Sequence, residues 1–170
     1  NCTFERIKKW IKYNKGGSFR KWYGNLEFIV NYENDGEEMK KGTGFRSCSF
    51  VSYNNENVSW SNLFSGHISA RYFPKGIMQD SSAYTATCIN KEAVLFTLCL
   101  INTNIFKTYK PLLNPTMHFV ASDFNSIPLV YTNQKYVTFI ANNNISISKE
   151  DWDAHETSWD FKENELVKLG

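Results

Sequence analysis

The chain has 170 residues, 42% of them apolar and 21% charged, with a formal net charge of +2. Such a composition excludes a disordered or collagenous polypeptide and fits one globular domain with a sizeable core. Nineteen basic against 17 acidic side chains do not by themselves demand nucleic acid as a partner, so any basic face must come from local clustering.

The first such cluster runs to Lys21 and holds Arg6, Lys8, Lys9, Lys12, Lys15, Arg20 and Lys21 against Glu5 alone. Within it, apolar residues at Phe4, Ile7, Trp10 and Ile11 have helical spacing, which predicts a helix over 4–13 stopped by Gly16-Gly17. Leu26, Phe28, Val30 and Tyr32 alternate as in a half-buried strand, and Asn34-Asp35-Gly36 then marks a turn. The charged, glycine-bearing stretch 36–44 reads as a surface loop.

Residues 68–73 read as a strand ended by Pro74-Lys75-Gly76, and residues 84–89 as another. Asn90 is placed to cap a long core helix over 91–110, with Pro111 as its stop. Met117, Phe119 and Ala121 alternate like a strand. Tyr136, Val137, Phe139 and Ile140 share one helical face, and Ser148-Lys149-Glu150-Asp151 fits a capping box opening a last helix striped by Trp152, Glu156 and Trp159. Strands and helices mix without regular alternation, which predicts an α+β fold.

No apolar run approaches the roughly 20 residues of a membrane span, and the longest, residues 93–101, is too short. With neither an initiator methionine nor a leader, the chain reads as a piece of a larger soluble protein. Cys2, Cys48, Cys88 and Cys99, together with sequons at Asn1, Asn57 and Asn144, raise the alternative of a secreted glycoprotein. Against it stand the cysteine spacings, which contain no Cys-x-x-Cys pair and fall far below disulfide density.

The chemistry-bearing motifs are mostly missing. His67, His118 and His155 are scattered without metal-ligand spacing, and neither a Gly-x-Ser-x-Gly elbow nor a Gly-x-x-x-x-Gly-Lys phosphate loop occurs. Asp151, Asp153, Glu156 and Asp160 are better read as a polar helix face than as paired catalytic carboxylates. No catalytic, metal or cofactor site is therefore expected within this piece.

The segment KGGSFRKWYGN, Lys15 to Asn25, sets three cations, three aromatics and three glycines in eleven positions. Cations neutralise phosphate, guanidinium forks match guanine edges, and glycine admits a close backbone approach. An equally open reading makes it a hairpin entrance, with Trp22 and Tyr23 in the core and the cations solvated.

That segment, followed by ENDGEE (Glu33 to Glu38), resembles a block of the adenine-specific DNA methyltransferases of BREX phage-defence systems, the PglX family. WSNLFSGHISARYFPKGIMQD (Trp60 to Asp80), LLNPTMHFVASDFNSIPL (Leu112 to Leu129) and SKEDWDAHETSWDF (Ser148 to Phe161) resemble further blocks in the expected order. His118-Phe119-Val120 and Ser122-Asp123 depart from the family pattern, as do Met78 and Gln79.

Neither the cofactor loop nor the Asn-Pro-Pro-aromatic motif of such enzymes is found here, since Asn114-Pro115-Thr116 lacks the second proline. The resemblance therefore implies a DNA target recognition domain of a bacterial, cytoplasmic enzyme. Methylation of adenine N6 with S-adenosylmethionine would belong to a separate catalytic domain of the same parent chain. The implied architecture is an α+β globule with a twisted, largely antiparallel sheet, flanking helices and a C-terminal helical segment. Residues 1–146 would form the recognition domain and 147–170 a helical connector to the rest of the parent. Implied partners are double-stranded DNA, the catalytic domain and other BREX components, with no membrane.

Arg20 and Lys21 match the family block and are candidates for phosphate contact or base readout, with Lys15 a candidate phosphate ligand. Arg71 and Lys75 join them from a strand and its following turn. Arg46 lies in a loop where sequence choice would be set, or is simply a solvated cation. Trp152, Trp159 and Phe161 are expected to dock the last helix onto the rest of the protein. Two alternatives from other classes are a protein-docking module of the defence complex and a secreted glycan-binding domain.

Overall fold

The computed structural model describes residues 9–43, 50–88, 90–128 and 133–168. Among the described residues six strands, β1 (Trp10–Asn14), β2 (Phe28–Asn31), β3 (Asn57–Ser61), β4 (Ala70–Phe73), β5 (Ile77–Gln79) and β6 (Ala83–Thr87), combine with seven helices in a mixed α+β fold. The helices are α1 (Glu33–Lys40), α2 (Phe50–Asn54), α3 (Lys91–Asn102), α4 (Asn104–Leu113), α5 (Ala121–Asn125), α6 (Gln134–Asp153) and α7 (Glu165–Lys168). Antiparallel pairing dominates, but it is divided between two three-stranded sheets, β2-β1-β5 and β4-β3-β6, where one sheet was expected. Within the first, β1 runs antiparallel to β2 and parallel to β5.

Strand β3 explains how the two sheets meet. Its alternation sends Val58 and Trp60 into the main core with Val94, Leu98, Ile101, Phe106 and Phe119, while Asn57 and Ser59 point the other way. Trp60 is 1% exposed, stacks on Tyr84 and Phe124, and donates from Nε1 to the Phe119 carbonyl at 2.8 Å. Burying such a ring contributes about 3 kcal/mol, and the bonded Nε1 avoids the cost of a stranded donor.

On the opposite face, Ser59 pairs across the sheet with Arg71 on β4 and with Thr85 on β6. Asn14 of β1 donates to Ser59 at 2.7 Å and to Gln79 of β5 at 2.6 Å. A polar seam therefore lies between the sheets. Three of its buried atoms, Arg71 Nε, Gln79 Nε2 and Thr85 Oγ1, have no hydrogen-bond partner among the described residues.

Several elements differ from the sequence reading. Trp10 to Tyr13 form a strand where a helix was expected, because pairing with β2 and β5 satisfies their backbone on both edges; residues 4–8 lie outside the described residues. The 36–44 stretch is helical as far as Lys40, after a left-handed turn at Asn34, Asp35 and Gly36. Asn90 does cap α3, accepting from Ala93 at 2.8 Å. The long helix nevertheless breaks at Thr103, whose hydroxyl accepts from Phe106 at 3.2 Å and starts α4, and α4 continues past Pro111 to Leu113.

The strand expected at 117–121 reduces to one bridge between Leu63 and His118, and Ala121 opens α5 instead. Ser148 caps nothing. It lies inside the 20-residue α6, which also runs through the boundary drawn at 146/147. Asn57 is 0% exposed and donates to the carbonyls of Ser52 and Asn55, so its sequon is sealed against glycosylation. Cys88 and Cys99 are free thiols, while Cys2 and Cys48 lie outside the described residues. No described helix is long and apolar enough to cross a membrane.

Candidate nucleic-acid interface

The segment 15–25 is a tightly folded coil in which Gly16, Gly17, Trp22, Gly24 and Asn25 all adopt positive φ. It is anchored to β4 by Trp22 N to Ala70 O at 2.9 Å and Tyr72 N to Trp22 O at 2.8 Å. Gly24 is required there, because a Cβ would come within 2.4 Å of Arg20 Nε and 2.8 Å of the Trp152 ring.

That crowding shows where the cations of the segment go. Arg20 lies over the Trp152 ring at 5.0 Å. Its guanidinium donates to the carbonyls of Tyr23 (2.8 Å) and Ser148 (3.0 Å) and to the Asp151 carboxylate (2.7 Å). Lys21 donates to the Asn102 carbonyl at 2.8 Å, at the C-terminal end of α3 where a cation complements the helix dipole. Ser148 returns a bond from α6 to the carbonyls of Lys21 and Tyr23, both at 3.0 Å. Arg20 and Lys21 thus staple α6 and α3 to the edge of β4.

Arg71 is 0% exposed and has no surface from which to reach a phosphate directly. Burial, reinforced by the nearby Arg20 charge, pulls its pKa down to about 10, so it stays protonated at neutral pH. Lys15 is exposed, with its ammonium 5.3 Å from the Phe28 ring. Lys75 is exposed as well, but the parallel register of β1 and β5 sets it at the opposite end of that sheet from Lys15. Arg46 lies outside the described residues. The candidates among the described residues therefore do not form one patch.

The open surface lies instead at the Lys15 end of the molecule, where two adjoining grooves share Phe64, His67 and Ile68. The larger, of about 310 Å³, runs between residues 64–68 and the stretch from Lys107 to Met117. The smaller, of about 140 Å³, lies between Gly17–Phe19 and Ser61–Ser69. None of the described residues lining either groove is acidic.

Lys107, His67, Ser65, Thr108 and Thr116 are exposed along this surface, and Phe19, Leu63 and Met117 stand out from it at 58, 58 and 61% exposure. Lys110 turns inward, 4.9 Å from the Phe64 ring and bonded to the Thr116 carbonyl, which shapes the groove wall. Burial pulls its pKa down against the opposing pull of Asp123. His67, Ser65, Lys107 and Met117 were not singled out from the sequence as binding residues. Their one available signal was position, in loops and on α4, which converge only after β3, β4 and α4 have packed.

Of the three aromatics expected to dock a last helix, Trp152, at the end of α6, is buried with Tyr23, Leu26, Phe73 and Ile77; Trp159 lies beyond that helix, is 54% exposed and donates to the Glu27 carbonyl at 3.0 Å.

No family model matches the chain. It is 36% identical to the adenine-specific methyltransferase PglX of Lacticaseibacillus casei (strain Zhang), over 96% of this chain and 14% of that protein. It is 34% identical to the adenine-specific methyltransferase BrxX of Escherichia coli O9:H4 (strain HS), over 94% of this chain and 13% of that protein. Only about one-seventh of either relative is spanned. Identity at this level, sustained along nearly the whole chain, means that the chain belongs to the family of BREX adenine-specific methyltransferases, of which it represents one segment.

Proposed function

We propose that this segment is the DNA target recognition module of an adenine-specific methyltransferase: it grips duplex DNA and reads bases while another part of the parent protein transfers the methyl group. The observation that carries this reading is the pair of adjoining grooves whose described lining contains no acidic side chain and includes the exposed Lys107. Such a surface accepts polyanionic DNA without like-charge repulsion.

In this reading the exposed cations hold phosphates and set register. Base discrimination falls to the loop tips: Ser65 and His67 offer hydrogen-bonding groups, and Leu63 and Met117 offer apolar contact to thymine methyls in the major groove. The methyl source, S-adenosylmethionine, and the domain that binds it belong to the same proposal and lie outside this segment.

Protein docking is favoured by a different observation, the exposed apolar stripe of Tyr136, Phe139 and Ile147 on α6. Salt separates the two readings. Fluorescence anisotropy of a labelled duplex with the 170-residue chain is expected to give log affinity falling linearly with log salt, by about 0.9 for each phosphate neutralised. Absence of duplex binding, or binding indifferent to salt, overturns the DNA reading. Exchanging this segment in a parent enzyme for a relative's, followed by methylome sequencing, tests base reading, and an unchanged methylated motif counts against it.

A further inference from the structure

Resting on the DNA reading above, we propose that the smaller groove is a seat for one phosphate group, charged from beneath by Arg71. The argument starts from an imbalance. A guanidinium sealed from water is costly unless an anion or a full set of acceptors compensates it. Among the described residues, Arg71 forms no salt bridge. Its Nη1 reaches the carbonyls of Ser18 and Arg20 only at 3.5 Å, its Nη2 reaches Ser61 Oγ at 3.2 Å, and its Nε has no partner. The Arg20 charge nearby adds repulsion. Five donors with three long bonds leave this group electrostatically undersatisfied.

Two of its acceptor residues, Ser18 and Ser61, also line the smaller groove. One hydroxyl thus separates the buried charge from the open space, and a charge in a poorly solvated interior is screened far less than a surface lysine. The groove walls suit an anion. Ser18, Ser65 and Ser69 carry hydroxyls there beside the His67 ring, with no acidic lining residue among those described. The hydroxyls of Ser18 and Ser65 and the His67 ring make no hydrogen bond to the described residues, so they are free to donate.

The loop is also held in shape. Ser61 Oγ donates to Gly17 O at 2.9 Å, Asn25 Nδ2 to Ser18 O at 2.8 Å, and Gly16 N to Asn14 Oδ1 at 2.9 Å. Little ordering cost then remains for an entering phosphate. Arg71 is in this account a positioning residue that never touches the ligand: it sets the potential of a site built by Ser18, Ser65 and His67.

The test titrates the 170-residue chain with inorganic phosphate at constant ionic strength, following backbone amides by NMR, and in parallel with a labelled duplex. Saturable shifts confined to residues 16–19 and 61–69 are expected. Arg71→Gln should lower phosphate affinity about tenfold, the scale of one lost charge interaction. Arg71→Lys, which keeps the charge, should hold it within about threefold.

A folded Arg71→Gln chain with unchanged phosphate affinity overturns the proposal. Duplex binding without phosphate-induced shifts in the groove overturns the seat and leaves the DNA reading standing. Phosphate shifts without duplex binding support the seat and sink the DNA reading. Should Arg71→Gln fail to fold, Ser65→Asp decides: a carboxylate on the exposed rim should lower phosphate affinity about tenfold, and no loss overturns the seat.

Discussion

The Arg20–Tyr23 coil and the groove at the Lys15 end share a boundary and have opposite uses for charge. The coil has the denser chemistry in sequence, yet Arg20 and Lys21 meet the carbonyls of Tyr23, Ser148 and Asn102 and the Asp151 carboxylate. The groove is built from ordinary serines, a histidine and Lys107, and of these Ser18, Ser65, His67 and Lys107 are exposed. A cation beside a tryptophan signals DNA only if nothing in the same fold is placed to neutralise it. For Arg20 the neutralising group arrives from 131 residues away, on α6.

The sharpest way to break this comparison is to remove the staple. Arg20→Ala should cost about 3 kcal/mol in urea unfolding, since it removes three hydrogen bonds to a charged donor and the packing on Trp152. Arg20→Lys should recover little, because an ammonium cannot reproduce the fork. Lys21→Met should cost about 1.5 kcal/mol by stranding the Asn102 carbonyl at the end of α3. Ser148→Ala should cost about 1 kcal/mol by removing the hydroxyl that joins α6 to the carbonyls of Lys21 and Tyr23. Losses below about 0.5 kcal/mol for all three, the range of ordinary surface changes, would show that the coil is not a staple.

Groove substitutions should behave in the reverse manner. Lys107→Ala and Lys15→Ala should each change stability by less than about 0.5 kcal/mol, and each should lower the slope of log DNA affinity against log salt by about 0.9. Unfolding with unchanged slopes would reverse the two roles.

The signals for β2 and β4 were local, alternation over residues 26–32 and a strand at 68–73 ended by Pro74-Lys75-Gly76, and they were legible for that reason. Asn90 was legible as a cap because its partner Ala93 is three residues away. Two of the failures involve distant partners, and a third a local break. Trp10 to Tyr13 have helix-like spacing, but β2 and β5 supply hydrogen bonds on both sides. Thr103 divides α3 from α4, but Ile105 follows Ile101 at helical spacing, so periodicity conceals the break. Ser148 has the residue type of a cap and acts as a donor to two carbonyls near residue 22.

The site followed the same rule. Lys15 was legible as an exposed cation. Arg71 was not legible as a buried one, because a strand position tells which residues share a face without telling that a second sheet covers that face. His67 and Lys107 line one groove only after a loop packs against α4, and no spacing in the sequence encodes that meeting.

The smallest expected effect concerns the turn that holds the Lys15 backbone. Asp80 accepts from Ser82 N at 2.8 Å, Ser82 Oγ at 2.6 Å and the Tyr13 hydroxyl at 2.5 Å, and Ser82 Oγ also bonds the Lys15 carbonyl at 2.9 Å. Burial pushes the Asp80 carboxyl up, but these bonds and the Lys15 charge outweigh it and hold the pKa below its ordinary value of 3.8. A carboxyl depressed in the folded state stabilises fully above its unfolded pKa and loses that contribution as pH falls through the folded value. The loss therefore belongs below about pH 4. Asp80→Asn should lower stability at pH 7 by a small amount and flatten the acid limb without abolishing it, because Lys12 likewise holds Asp160 below its ordinary value, chiefly through their hydrogen bond. Urea unfolding of both proteins between pH 2 and pH 7 checks this; parallel acid limbs would mean that the folded state does not hold Asp80 below its ordinary value.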